Sequence, residues 1–154
     1  RTEILQACFE NGKHTFLEKP ISTSTDHIEQ LIQIGLQKNL YSAVDFEYRK
    51  VPLFIKVKEL ISSGFIGSPT FINIKWIMGN RSDPNIPWSC YNSTQLGGCI
   101  INAIASHHID LLLWYFGDIV SVSSTSRTLV KERVDSSTQL LRDCDSPETA
   151  FLSF

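Results

Sequence analysis

Lys19 and His107 are the residues whose types and positions best suit proton chemistry. Lys19 stands between Glu18 and Pro20 directly after a short apolar run, so a strand there would end near an ammonium group. His107 precedes Asp110 by three residues in a long helical pattern, which puts the two on one helix face. An imidazole with an unperturbed pKa of about 6.5 can exchange protons near neutral pH. Both residues are therefore candidates for an active site.

Each candidate also has a simpler interpretation. Lysine side chains are mostly exposed, so Lys19 could be an ordinary solvated lysine. A single histidine on an amphipathic helix is usually a packed core or boundary residue, and His107 could be one. His108 points about 100° away around the same helix and is predicted to be structural. His14 and His27 occupy surface-like positions, and we predict no role for them.

The first part of the chain alternates helix, strand and helix patterns, which is typical of an α/β protein. A short helix ends at residues 11–12 and a strand covers residues 15–17. Residues 18–20 then lie at the carboxyl end of that strand, where open α/β sheets place ligand-binding groups. Polar residues cap a helix predicted over 25–38, and a second strand is predicted over 40–46.

The second part of the chain begins with a helix that Pro52 starts and Gly64 ends. Its remaining patterns predict a strand with one exposed face, a long proline-containing loop, a long helix, a further strand that could extend to residue 130, a polar excursion and a last strand. In chain order these predictions cover residues 71–78, 79–95, 99–117, 120–126, 131–147 and 149–154. Long loops in compact domains are often functional.

Composition limits the classes of function. The chain has 154 residues, 42% hydrophobic and 19% charged, which suits one globular domain or parts of two. The net charge is -2 and the basic residues are scattered, so we expect no nucleic-acid partner. The longest apolar stretch, residues 109–116, is shorter than the ~20 residues that cross a bilayer, so we expect no membrane span. The four cysteines show no pairing or metal-ligand spacing, and we expect free thiols and no metal.

Two stretches of the chain carry recognisable motifs. Residues 10–20, ENGKHTFLEKP, combine a helix end, a glycine turn and a strand that ends in E-K-P. Residues 97–112, GGCIINAIASHHIDLL, combine a glycine turn, a helix and H-x-x-D. Both stretches resemble the Gfo/Idh/MocA family of NAD(P)-dependent oxidoreductases, in which the second motif begins with three glycines. Residues 45–49, residues 61–67 and Trp88 are weaker matches. The resemblance covers nearly the whole chain.

The resemblance implies an α/β fold in two parts. Residues 1–47 would be the C-terminal part of a dinucleotide-binding Rossmann domain. Residues 48–154 would begin a substrate-binding and oligomerisation domain, in which helices flank an open, largely antiparallel sheet. The G-x-G-x-x-G turn on which members bind the cofactor pyrophosphate does not occur in the sequence. We therefore expect an internal piece of a longer protein that neither binds NAD(P) tightly nor is active by itself.

The resemblance also implies roles for individual residues. Lys19 would hydrogen-bond the substrate hydroxyl and the nicotinamide, and His107 would act as general base. Cofactor binding would involve Glu18, Lys19 and Pro20, and the Lys19–Pro20 bond is predicted to be cis. Asp110 could accept a hydrogen bond from the imidazole or pair with a neighbouring segment. Substrate binding would involve Arg49, Trp88, Asn102 and Asp110.

The function implied by the resemblance is hydride transfer between NAD or NADP and a secondary hydroxyl of a sugar, cyclitol or related polyol. The enzyme would be cytoplasmic and would form homo-oligomers through the open sheet face. Two departures from the family pattern leave an alternative open. Ala103 stands where many members have aspartate, and Cys99 replaces the third glycine. A non-catalytic member that senses nucleotide or binds a protein partner is therefore the second hypothesis.

Overall fold

A computed structural model describes the chain from Arg1 to Phe154, apart from the side chain of Asn80. The chain divides into two units, residues 1–46 and residues 47–154. Their assignment to a Rossmann domain and a substrate domain remains a prediction. The first unit contains helix α1 (Thr2–Glu10), strand β1 (Thr15–Glu18), helix α2 (Ile28–Gln37) and strand β2 (Ser42–Asp45).

The first unit is a two-stranded parallel sheet with two helices. Strand β1 pairs with β2 so that Glu18 lies opposite Asp45, and the two carboxyl ends therefore lie side by side. The buried core consists of Leu5 and Phe9 from α1 together with Leu31 from α2. Gly35 permits close packing, because a Cβ atom there would lie 3.0 Å from the Phe9 ring. The two helices thus pack closely enough to bury these three side chains.

Helix α2 begins three residues later than the predicted start at Thr25. The polar residues before it form turns of their own instead of capping the helix. The Ser22 hydroxyl accepts a hydrogen bond from the Ser24 N–H at 3.1 Å, and the Ser24 hydroxyl accepts one from the Asp26 N–H at 3.0 Å. His27 then adopts a left-handed conformation with φ 63°, so the α-helix begins only at the residue after it.

The second unit contains mixed helices and short antiparallel strand pairs. A 3₁₀ turn (Glu47–Lys50) precedes helix α3 (Pro52–Ser62), and a π-helical turn (Ile101–Ala105) leads into helix α4 (Ser106–Phe116). Strand β3 (Ser123–Arg127) pairs with β6 (Thr149–Ser153), and β4 (Glu132–Val134) pairs with β5 (Leu141–Asp143). A parallel pair followed by antiparallel pairs confirms the predicted fold class.

Two predictions for the second unit were wrong. Residues 71–78 form no strand, because no described segment pairs with their backbone. Phe71 and Ile77 in this stretch are 81% and 82% exposed. Residues 131–147 are not an irregular excursion but contain the β4–β5 hairpin. Its three-residue strands carry mixed charges and show no apolar alternation, so the sequence pattern could not reveal them.

The long loop over residues 79–95 is held by one buried arginine. Arg133 on β4 is 1% exposed. Its guanidinium donates hydrogen bonds to the backbone carbonyls of Arg81, Asp83 and Ile86 at 2.6, 2.6 and 3.0 Å. It also forms an ion pair with the Glu148 carboxylate at 3.1 Å. The loop has little regular structure, and these bonds fix it on the hairpin.

We expect Arg133→Met to lower the free energy of unfolding by about 3–5 kcal/mol, because it leaves the buried Glu148 carboxylate without its charged partner and removes the donors of three carbonyls. Urea unfolding measures this loss. The matched control is Lys56→Met, which breaks an exposed ion pair with Glu59 and should cost less than about 1 kcal/mol. Equal losses in the two variants would show that Arg133 does not hold the loop.

Candidate active site

Arg49 and Asp110 form a bidentate ion pair that joins the 47–50 turn to helix α4. Arg49 Nε donates to Asp110 Oδ2 and Arg49 Nη2 donates to Asp110 Oδ1, both at 2.7 Å. The Asp110 side chain is 8% exposed and that of Arg49 is 42% exposed. The hydrogen bond to Asp110 is the main cause that raises the pKa of Arg49. The buried carboxylate therefore has a partner that remains charged at any relevant pH.

The same turn brings two further side chains to His107. The His107 imidazole is buried, with only 5% of the residue exposed. The Tyr48 ring stacks on it at a centroid distance of 4.5 Å and an interplanar angle of 23°. Glu47 Oε1 lies 3.6 Å from His107 Nε2, which is too long for a good hydrogen bond but within ion-pair range. One face of the imidazole is thus covered by an aromatic ring, and its Nε2 atom faces a carboxylate.

Asp110 pairs with a neighbouring segment, which is one of the two sequence hypotheses for it. Both of its carboxylate oxygens accept hydrogen bonds from Arg49. His108 packs as a structural residue, since its Nδ1 lies 3.2 Å from the Ile104 carbonyl oxygen. Its ring also meets those of Tyr48 and Trp76 edge-on.

The backbone just before α4 departs from α-helical geometry. The turn over Ile101–Ala105 is π-helical, so the α-helical period that placed Ala103 on the His107 face does not apply to it. Asn102 Nδ2 donates to the Gly97 carbonyl oxygen at 3.3 Å, and Ser106 Oγ donates to the Asn102 carbonyl oxygen at 2.8 Å. Asn102 thus helps to fix the glycine turn that precedes the helix.

The glycine turn is closely packed, and Cys99 is strained within it. A Cβ atom on Gly98 would lie 2.4 Å from the Tyr91 carbonyl oxygen, so only glycine fits there. Cys99 follows with φ 152°, a backbone conformation that favours glycine. The residue that replaces a family glycine therefore adopts a glycine conformation.

Trp88 lies on the β4–β5 hairpin. Its Nε1 donates to the Asp143 carbonyl oxygen at 3.0 Å, and its backbone N–H donates to the Val134 carbonyl oxygen at 2.8 Å. The Arg142 guanidinium lies over its ring, 3.4 Å from the centroid. These contacts fix the tryptophan and cover one of its faces.

The predicted cofactor residues lie in the first unit, at the carboxyl end of β1. Glu18 is exposed, and Lys19 and Pro20 are half-buried. The Lys19–Pro20 peptide bond is cis, which confirms the prediction. The Arg1 guanidinium donates to the Pro20 carbonyl oxygen at 2.7 Å. The predicted site residues are therefore divided between the two units.

Sequence reasoning missed Glu47 and Tyr48 as site residues. Both lie in the stretch 45–49 that was compared with the family, where only the aromatic and arginine pattern was noted. Three consecutive side chains of this turn contact α4, and this contact depends on tertiary packing. The adjacency of Glu47 and Tyr48 to Arg49 was the one signal available.

Other classes of site receive no support from the described residues. They include no group of three His, Cys, Asp or Glu side chains that could hold a metal ion. The four cysteines are free thiols. Among these residues, no helix has the length and hydropathy that a membrane span requires.

Comparisons with known proteins show that the chain is similar to parts of known oxidoreductases. The GFO/IDH/MocA C-terminal domain matches residues 54–153. An uncharacterized oxidoreductase of Synechocystis sp. is 33% identical over 143 residues, which are 92% of this chain and 38% of that protein. The levoglucosan dehydrogenase of Pseudarthrobacter phenanthrenivorans is 29% identical over 132 residues, 85% of this chain and 34% of that enzyme. This chain thus spans well under half the length of these relatives.

A solved structure shows the same fold. The crystal structure of an NAD binding oxidoreductase from Klebsiella pneumoniae superimposes with a TM-score of 0.85 at 24% sequence identity. The likeness covers 97% of this chain and 40% of that chain.

We expect Arg49→Met to destabilise the protein more than Asp110→Asn does. Loss of the arginine leaves the buried Asp110 carboxylate without its partner, which costs about 3 kcal/mol or more. Loss of the carboxylate charge leaves a half-exposed guanidinium that water can solvate, at a cost of about 1–2 kcal/mol. Chemical unfolding of the two variants measures the difference, and the reverse order would contradict the role given to Asp110.

We also expect Cys99→Gly to be more stable than Cys99→Ala by about 1 kcal/mol. Glycine relieves the strain at φ 152°, although the greater freedom of glycine in the unfolded chain offsets part of the gain. The alanine variant is the matched control, because it removes the thiol and keeps the Cβ atom. If thermal unfolding found the alanine variant equally stable, Cys99 would not be strained.

Proposed function

Because the chain belongs to the Gfo/Idh/MocA family, we propose that the whole protein is a cytoplasmic oxidoreductase. It transfers a hydride between NAD or NADP and a secondary hydroxyl of a sugar, cyclitol or related polyol. The observation that carries this proposal is the buried His107, which lies within the matched residues 54–153 and packs against the 47–50 turn. The name of the levoglucosan dehydrogenase, a relative that covers most of this chain, supports a sugar-like substrate.

The first unit fits one end of the cofactor. We propose that residues 1–47 complete a Rossmann domain and that Glu18, Lys19 and Pro20 meet the nicotinamide end of NAD(P). They lie at the edge where the carboxyl ends of two parallel strands meet, which is where open α/β sheets bind dinucleotides. The sequence has no G-x-G-x-x-G turn, so the pyrophosphate would be held by other residues of the whole protein. When bound, NAD(P) supplies the carbon that accepts the hydride.

His107 and Lys19 would handle the proton and the charge on oxygen. In the oxidative direction, His107 accepts the hydroxyl proton at Nε2, because its Nδ1 atom is buried. Lys19 donates a hydrogen bond to the oxygen as alkoxide charge develops, which stabilises the transition state. Both residues can act only if the whole protein places them on the same substrate carbon.

The remaining predicted site residues suit different tasks. The Arg49 side chain is 42% exposed, so part of its guanidinium can still meet substrate hydroxyls. Asp110 uses both oxygens on Arg49, and we propose that it acts by fixing Arg49. The side chains of Asn102 and Trp88 donate hydrogen bonds to the backbone carbonyls of Gly97 and Asp143. We therefore propose that these two residues shape the substrate site.

The β3–β6 pair is the surface on which we propose homo-oligomers to form. All five residues of β3 are exposed, and Phe151 on β6 is 70% exposed. A large apolar side chain exposed on a sheet surface is one of the features that mark interaction surfaces. Sedimentation velocity of the whole protein tests the proposal, which a monomer at high concentration would refute.

A non-catalytic regulator is the second candidate. Ala103 provides no carboxylate before the histidine, and the strained Cys99 departs from the family's glycine pattern. Nucleotide binding without turnover of any polyol, measured on the whole protein with both cofactors, would favour this candidate over the enzyme.

We expect His107→Ala to lower kcat of the whole protein by about 10²–10⁴, the usual contribution of a general base. Cofactor affinity should remain nearly unchanged, because His107 belongs to the second unit. Steady-state kinetics and cofactor titration measure the two effects. The control is His14→Gln, an exposed histidine of the first unit, which should retain kcat. A His107→Ala variant with the parent kcat at every pH would reduce His107 to a packing residue.

A further inference from the structure

Glu47 is the carboxylate that faces the proton-exchanging atom of His107. Its Oε1 lies 3.6 Å from His107 Nε2, and its side chain is 55% exposed while that of His107 is 6% exposed. The Tyr48 ring, next in sequence, covers the imidazole face and restricts its rotation. A buried ring with one nitrogen directed at a half-exposed carboxylate is an arrangement in which the carboxylate can control protonation.

Several other polar groups near His107 have partners or neutral rings of their own. Asp110 on the same helix is bound to the Arg49 guanidinium, so this pair contributes little net charge. From the 47–50 turn, Tyr48 presents a neutral ring, and on α4 His108 is turned to Ile104 and Trp76. Ala103 offers no carboxylate from the turn before the histidine. Glu47, whose Oε1 lies 3.6 Å from Nε2, is a carboxylate placed to act on the imidazole.

We propose that Glu47 is a positioning residue for His107: its carboxylate stabilises the protonated imidazole at Nε2 and raises its pKa. This inference rests on the proposed function only where it concerns catalysis. A nearby negative charge favours the protonated form of an imidazole. Because Glu47 is half exposed, solvent screens its interaction with the imidazole. We therefore expect Glu47 to raise the pKa of His107 by only about 0.5–1.

Titration of the imidazole by NMR tests the electrostatic part without any need for activity. In the full chain, Glu47→Gln should lower the pKa of His107 by about 0.5–1 unit, and Glu47→Asp, which keeps the charge, should retain part of the interaction. The His107 signals are assigned by their loss in His107→Asn. The matched control is Glu59→Gln, an exposed glutamate of α3 paired with Lys56, which should leave the titration unchanged. An unchanged His107 pKa in Glu47→Gln would overturn the proposal.

The pH profile of kcat/KM in the whole protein tests the catalytic part. A general base works only when deprotonated, so activity falls below its pKa, and Glu47→Gln should move this acidic limb to lower pH by the same 0.5–1 unit. A merely structural loss would lower activity equally at all pH values. If His107→Ala keeps its activity, the proposed function fails, while the NMR result still decides on Glu47. If His107→Ala is inactive and the Glu47→Gln limb does not move, the inference about Glu47 fails.

Discussion

The ion pair between Arg49 and Asp110 is the constraint on which the geometry of the candidate site depends. A buried carboxylate is costly unless a charged partner compensates it, and the two 2.7 Å hydrogen bonds provide that compensation. The two hydrogen bonds between the planar guanidinium and the carboxylate fix the 47–50 turn in one orientation on α4. Glu47 and Tyr48 precede Arg49 directly, so the same bond determines where their side chains lie. His107, three residues before Asp110, is the side chain that they meet.

A second buried arginine solves a similar problem elsewhere in the same unit. The loop over residues 79–95 has many backbone carbonyls without partners in regular structure, and Arg133 supplies donors to three of them. Glu148 balances the charge, and its carboxylate also accepts hydrogen bonds from the N–H groups of Leu129 and Val130. In both places a guanidinium replaces secondary structure as the means of fixing irregular backbone. The planar group with several donors makes arginine suitable for this, whereas lysine would not be.

The sequence predicted those parts of the fold that depend on local patterns. Helices α1, α3 and α4 and strand β1 follow from apolar periodicity, Pro52 and the glycines that end helices. The β4–β5 hairpin could not be predicted, because its three-residue strands carry mixed charges and show no apolar alternation. The strand expected over residues 71–78 fails for the opposite reason, since a strand pattern without a pairing neighbour forms no sheet. Likewise the sequence alone identified His107 as a candidate base on a helix. Its contacts with Glu47 and Tyr48 could be seen only in the tertiary structure.

The structure also changes the weight of the two departures from the family pattern. On α-helical periodicity, Ala103 takes a carboxylate away from the face of His107. The π-helical turn over Ile101–Ala105 alters that register, and a carboxylate reaches the imidazole from a different element. The electrostatic surroundings of a histidine depend on where charges lie in space, whichever segment carries them. Ala103 is therefore weaker evidence against catalysis than it is in the sequence alone. Cys99 lies in the backbone before the helix, at a distance in sequence from the residues that surround the imidazole. We therefore expect its backbone strain to lower the stability of the protein more than it changes the surroundings of His107.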